Sequence, residues 1–163
     1  MKNLLLLFFF ALSYNSYAQV NSVMPAEATS FYNSAMQKIK PELKATIEKN
    51  ANKLKGRIVN IDSLSAELRK DSFLKNSNQD DLHAIVILIM VQISRNADAD
   101  LKNLVIHMHK KNDQAPKTNS TVNESSGNMV ESILANKRLI AENVSSVMEK
   151  LPATPETLID QLK

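Results

Sequence analysis

The sequence predicts an all-α protein, an up-and-down helical bundle of about four to five helices that follows a cleaved signal peptide. Three observations support this fold class. The chain has only two glycines and five prolines in 163 residues, so helices can continue uninterrupted. Its apolar residues recur at steps of three and four, the spacing of one helix face. Its N-terminus has the charged, apolar and polar parts of an export signal.

The N-terminal segment predicts export by a signal peptide of bacterial type. A positively charged start at Lys2 precedes an apolar run over 4–12, and a polar stretch ends in small residues at Ser16 and Ala18. Signal peptidase accepts such residues at −3 and −1, which predicts cleavage before Gln19. The run of about nine residues is shorter than the roughly 20 that span a bilayer. A retained interfacial anchor is the alternative. We therefore expect a signal peptide at 1–18, a single helical domain at 19–163, and a periplasmic or secreted protein.

Apolar spacing predicts a first helix from about Ala26 to Lys55. Pro41 lies inside the pattern and should either bend the helix or start a second one at its first turn, because its ring fixes φ and it lacks an N–H group. We favour one helix bent near Pro41. Gly56 is the predicted end.

A short second helix is expected over 63–75, with Asp62 as its N-cap. Leu64 and Leu68 should face inward, together with either Phe73 or Leu74.

The third segment is the predicted centre of the protein. Asp80 and Asp81 open a helix, and residues 84–91 are apolar on every side, which requires other helices around them. A buried strand is the alternative, since such a run alone does not separate the two. The helical spacing continues to Met108, and this favours a helix.

Residues 112–128 are rich in turn formers and nearly free of apolar side chains, so we expect a flexible polar loop there. An apolar stripe of about three heptads follows, with Lys137 at an inward position. It fits a bundle helix or a short coiled coil that ends at Pro152. A final short helix is expected over 156–162.

The composition argues against most site chemistry. The absence of cysteine excludes disulfides and thiolate metal sites, and two glycines do not provide a phosphate-binding loop. Few aromatic residues argue against nucleic-acid binding. A metal site, or an enzyme built around Asp100 and His107, is a further alternative and would use His107 and His109 with Asp98 and Asp100. His107 nearly shares a helix face with Asp100, as His109 does with Asp98, but the two histidines are about 200° apart. We therefore expect no enzyme, no catalytic residue, no cofactor and no metal.

A basic segment suggests a membrane-active alternative. Residues 38–57 carry seven cations against Glu42 and Glu48, a local net charge of +5. Such a protein would dock on an anionic membrane surface and insert the apolar segment 84–93. A solvated helix face and a buried core helix are the simpler interpretations. The candidate docking face consists of Lys38, Lys44, Lys49, Lys53 and Arg57.

The favoured function is an exported, non-catalytic interaction or structural module of the periplasm or cell exterior. Its partner would be an unknown protein or a second copy of the chain. The C-terminal heptads are the expected association surface, formed by Val130, Ile133, Ile140, Val144 and Val147.

Overall fold

A computed structural model describes residues 24–57, 59–114, 122–151, 157, 159–160 and 162, with side chains left out over 107–126. The predicted signal peptide and its cleavage site lie outside the described residues. The described part contains helices and no strand, which confirms the all-α prediction. Its five helices are α1 (Ala26–Lys38), α2 (Pro41–Lys53), α3 (Ile61–Leu68), α4 (Gln79–Gln114) and α5 (Val122–Met148).

The segment 26–55 is two helices and not one bent helix, so the alternative in which Pro41 starts a second helix is confirmed. Between α1 and α2, Ile39 and Lys40 are extended, with ψ of 156° and 148°. A proline disfavours helical geometry at the residue before it, which accounts for Lys40. Pro41 then occupies the first turn of α2, where its missing N–H is not needed. Gly56 has a positive φ of 71° just after α2 ends, as its predicted role as a helix stop requires.

The prediction for α3 is wrong in its cap and its length. The cap is Asn60, whose Oδ1 accepts a hydrogen bond from the Ser63 N–H at 2.9 Å, and Asp62 lies in the first turn. The helix ends at Leu68 instead of residue 75, and turns follow. Leu74 is buried, and Phe73 is exposed.

Helix α4 is the centre of the fold, and the strand alternative for 84–91 does not apply. Asn78 caps it, accepting a hydrogen bond from the Asp81 N–H at 2.8 Å. Residues 84–91 are at most 2% exposed. The other four helices all pack on α4. The hydrophobic core therefore surrounds the apolar run of one helix.

The predicted polar loop over 112–128 is wrong at both ends. Helix α4 continues to Gln114 and α5 begins at Val122, so only 115–121 separates them, and these residues lie outside the described part. The short connection makes α5 run back along α4. Of the predicted final helix, Thr157, Ile159 and Asp160 are helical, and Ile159 is buried.

Candidate interaction surface

The hairpin formed by α4 and α5 is longer than the helices beside it. Helix α4 has 36 residues, about 54 Å, whereas α1 and α2 have 13 residues each, about 20 Å. Side chains of α2 and its C-terminal turn reach α4 at Asn96, 3.3 Å from Asn52, and at Asp100, 2.7 Å from the Lys55 Nζ. Asp100 is the last α4 residue with a described ion pair. We call residues 101–114 and 122–136 the hairpin end.

The hairpin end exposes apolar side chains. Val105, Ile106 and Met129 are 38%, 44% and 55% exposed, and they are three of the four strongly exposed large hydrophobic residues in the described chain. None of the described large apolar side chains of the hairpin end is buried; the others, all half-buried, are Leu101, Leu104, Val130, Ile133 and Leu134.

The exposed apolar residues of α4 and of α5 lie at the same height along the hairpin. An ion pair joins Asp98 on α4 to Lys137 on α5. Ile106 is eight residues after Asp98 and Met129 eight residues before Lys137. At 1.5 Å per residue, both lie about 12 Å beyond the ion pair in antiparallel helices. Val105, Ile106 and Met129 therefore lie at similar heights, at one end of the hairpin.

Lys137 resolves the awkward inward position that the heptad pattern gave it. Its side chain is 12% exposed and pairs with the Asp98 carboxylate, so the nearly buried ammonium is neutralised. The neighbouring Asn136 keeps a buried Oδ1 with no hydrogen-bond partner among the described residues. The base of the hairpin end is thus polar, in contrast to the core below it.

The residues considered for a metal site have other partners. Asp98 pairs with Lys137 and Asp100 with Lys55, while the His83 Nε2 lies 2.8 Å from the Gln79 Nε2. The side chains of His107 and His109 fall outside the described residues. Among the side chains that are described, no group of three His, Cys, Asp or Glu residues is placed to hold a metal ion.

The candidate basic face is discontinuous. Lys38, Lys49, Lys53 and Arg57 are exposed, and Lys44 is half-buried. Lys44 and Lys49 point about 140° apart around α2, since each residue turns the helix by about 100°. Lys53 is paired with Glu67, and its hydrogen bond lowers the pKa of the Glu67 carboxyl. The five cations therefore lie at the end of α1, around the solvated side of α2 and in the turn after it.

The predicted association residues divide into two groups. Ile140, Val144 and Val147 are buried in the core of the single chain, so a partner could reach them only if α5 left the core. Val130 and Ile133 lie at the hairpin end and are half-exposed. Sequence reasoning missed Ile106 and Met129, and it placed Val105 on the apolar stripe that it predicted as far as Met108. The signal that could have found them is the length of the third helical pattern compared with the first.

A network of side-chain hydrogen bonds connects α1 and α2 to α4. The Tyr32 hydroxyl donates to the Gln92 Oε1, the Gln92 Nε2 donates to the Asn96 Oδ1 at 2.9 Å, and Asn96 donates to Asn52. The Arg95 guanidinium lies 4.4 Å from the centre of the Tyr32 ring, a cation–π distance. Burial raises the pKa of the Tyr32 hydroxyl, and Arg95 opposes this. The network holds three helices together.

The segment considered for membrane insertion lies in the core. Helix α4 over Gln79–Ile106 is long and apolar enough to cross a membrane by length and composition, and 61% of its most apolar stretch is buried inside the protein. A core helix of a soluble protein passes the same test.

Comparison with known protein families, with curated proteins and with solved structures finds no match to this chain.

Proposed function

We propose that the protein is exported to the periplasm or the cell exterior and acts there as a non-catalytic interaction module. In this proposal an up-and-down bundle supports the hairpin end, and the hairpin end binds a protein partner. The observation that supports this most directly is that Val105, Ile106 and Met129 are all exposed at one end of the hairpin. Exposed large apolar side chains that are concentrated in one part of a protein are characteristic of interaction sites.

The surroundings of the surface fit a protein interface. Lys102 is exposed one helical turn before Ile106 on α4, as in interfaces with an apolar centre and a polar rim. The core is complete without the hairpin end, because α1, α2, α3 and the second half of α5 already cover α4. Apolar residues at the hairpin end are therefore not needed to fill the core.

The membrane-active alternative has less support. Insertion of segment 84–93 would remove from the core the side chains that all four other helices contact. Docking through Lys38, Lys44, Lys49, Lys53 and Arg57 would use a face that Glu42 and Glu48 interrupt. Release of dye from anionic vesicles by the mature chain would favour this alternative.

Site-specific photocrosslinking in the cells that make the protein tests the interaction surface. A photoreactive phenylalanine analogue at position 106 or 129 should give discrete crosslinked products. The same analogue at position 63, exposed on α3, is the matched control and should give none. Absence of products at both hairpin positions, or equal products at all three, would contradict the proposal.

Export is tested separately by the N-terminus of the mature protein. We expect a chain that begins at Gln19 in the periplasmic or extracellular fraction. A chain that keeps Met1 and stays in the cytoplasmic fraction would contradict export.

A further inference from the structure

We infer that residues 19–23, the first residues of the mature chain, extend from the start of α1 over the hairpin end and cover Ile106 and Met129 until a partner displaces them. The inference rests on the proposed function, because it names what controls access to the same surface. It is supported by the direction of α1, by the faces on which Ile106 and Met129 lie, and by the length and composition of the segment.

Helix α2 runs parallel to α4, and this fixes the level at which it begins. Asn52 is hydrogen-bonded to Asn96, and Lys55, three residues later, pairs with Asp100, four residues later. Both chains therefore advance in the same direction, towards the hairpin end. Pro41 opens α2 eleven residues before Asn52, so α2 begins about 16 Å short of the level of Asn96.

Helix α1 runs in the opposite direction and has its first residues nearest the hairpin end. It ends at Lys38, three residues before α2 begins, yet the Tyr32 hydroxyl bonds to Gln92. Gln92 lies about 10 Å closer to the hairpin end than the start of α2. A helix α1 parallel to α4 would place Tyr32 about 9 Å farther away than Lys38, out of reach of Gln92. Ala26 therefore lies close to the level of Asp98, six residues beyond Gln92.

Ile106 and Met129 face the side of the hairpin on which α1 packs. Arg95 contacts α1, where its guanidinium lies 4.4 Å from the centre of the Tyr32 ring. Ile106 is eleven residues after Arg95, a rotation of only about 20° around α4. Met129 is eleven residues before Ile140, which is buried in the core that α1 helps to form, and helix α1 packs on both α4 and α5. A chain segment that continued beyond the start of α1 would therefore meet both side chains.

Residues 19–23 precede the described part of the chain and have the length to cover this site. Met24, the first described residue, packs against the core beside α1. Ile106 lies eight residues after Asp98, about 12 Å beyond the level at which α1 begins, and five residues can extend about 17 Å. The segment contains Val20 and Val23 and no charged side chain. Contact between these valines and the exposed apolar side chains would remove both from water.

Cysteine labelling tests this cover, because the chain contains no cysteine of its own. The measurement uses the mature protein recovered after export, with Ile106→Cys as its single thiol. Its reaction with a maleimide should become about tenfold faster when Val20→Asp and Val23→Asp are added, because the thiol reacts only in the uncovered fraction of molecules. Met129→Cys, on the other helix, should show the same increase.

The matched control is Val105→Cys. Val105 is exposed and points about 100° away from Ile106 around α4, so the segment does not cover it. Its thiol should react at one rate whether or not the two aspartates are present. Circular dichroism should match wild type for every variant. Unchanged rates for both Ile106→Cys and Met129→Cys, or an equal increase at Val105→Cys, would overturn the inference.

The outcome is separate from that of the proposed function. If labelling overturns the cover while the photoreactive analogue at position 106 still crosslinks to a second protein in cells, the hairpin end remains the interaction surface. If the analogue crosslinks only to residues 19–23 of its own chain, the cover is supported and the proposed partner is not.

Discussion

The two halves of α4 have similar apolar spacing and very different surroundings. Between Leu82 and Ile93 every apolar side chain is at most 2% exposed, whereas Val105 and Ile106 are 38% and 44% exposed. The difference comes from the neighbours, because α1 and α2 have only 13 residues each. An apolar stripe becomes core only where other helices are long enough to cover it. The half from Leu82 to Ile93 therefore stabilises the fold, whereas the half beyond Asp100 keeps Val105 and Ile106 exposed.

Matched valines on α5 give the largest expected contrast. Val144 is fully buried and Val130 is half-exposed, and both follow the same apolar stripe. Val144→Asp should lower the free energy of unfolding by about 3–5 kcal/mol, because it buries an unpaired charge. Val130→Asp should cost less than about 1 kcal/mol. Urea denaturation of dilute protein measures both, and equal losses would show that the hairpin end belongs to the core.

The ion pair at the base of the hairpin end should have a smaller effect. Asp98→Asn leaves the 12% exposed Lys137 without a counter-charge, and we expect a loss of about 1–2 kcal/mol. Adding Lys137→Met should recover most of that loss. Asp100→Asn is the matched control, since its partner Lys55 is about half exposed and such pairs contribute less than about 1 kcal/mol. The contrast fails if the two Asp→Asn variants are equally stable.

Tyr32 provides a probe of the polar network that connects α1 and α2 to α4. Tyr32→Phe removes the donor to Gln92 and should cost about 1 kcal/mol. Burial raises the pKa of Tyr32 in the folded state, so the folded chain disfavours the phenolate. The contribution of the protonated Tyr32 hydroxyl to the free energy of unfolding is present below about pH 10. It is lost as the pH rises through the folded-state pKa.

The measurement is the free energy of unfolding of wild type and Tyr32→Phe against pH. The loss at alkaline pH should be smaller in the variant. Curves that stay parallel above the ordinary tyrosine pKa would contradict this account.

Gly127 gives the smallest expected effect, and its sign is opposite. It lies within α5, where a Cβ would meet nothing within 4 Å. Gly127→Ala should stabilise the hairpin end by about 0.5–1 kcal/mol, because alanine loses less backbone entropy in a helix. Slower amide hydrogen exchange in 129–134, with little change in 84–93, would locate the effect. Ala135→Gly, exposed on the same helix, should have the reverse effect.

The sequence predicted the elements that periodicity controls. The apolar run at 84–91 and the stripe from Val130 each lie on a helix, because an apolar face at helical spacing is a strong signal. The association residues show where that signal stops. Val130 and Val144 occupy equivalent places in one pattern, yet only Val144 lies in the core. Spacing identifies the apolar face, and only the fold shows what covers it.

The ends of the helices were harder to predict, for local reasons. Asn60 and Asp62 are both good N-caps, and the geometry at Ser63 selects Asn60. Residues 122–128 contain Ser, Asn and Gly, which favour loops in isolation, yet they form the first two turns of α5. Helix formation there is cooperative with the long helix that follows, and the cooperativity outweighs individual propensities.

The position of α4 as the common partner of all four other helices also determines the order in which the chain can assemble. Helices α1, α2 and α3 come earlier in the sequence, and their main contacts are with a helix that follows them. Until residues 79–94 are present, the first 78 residues of the chain have no core to join. We therefore expect the emerging chain to remain unfolded through its first 78 residues and to acquire tertiary structure late. A protein that must cross a membrane before it folds would benefit from such a delay.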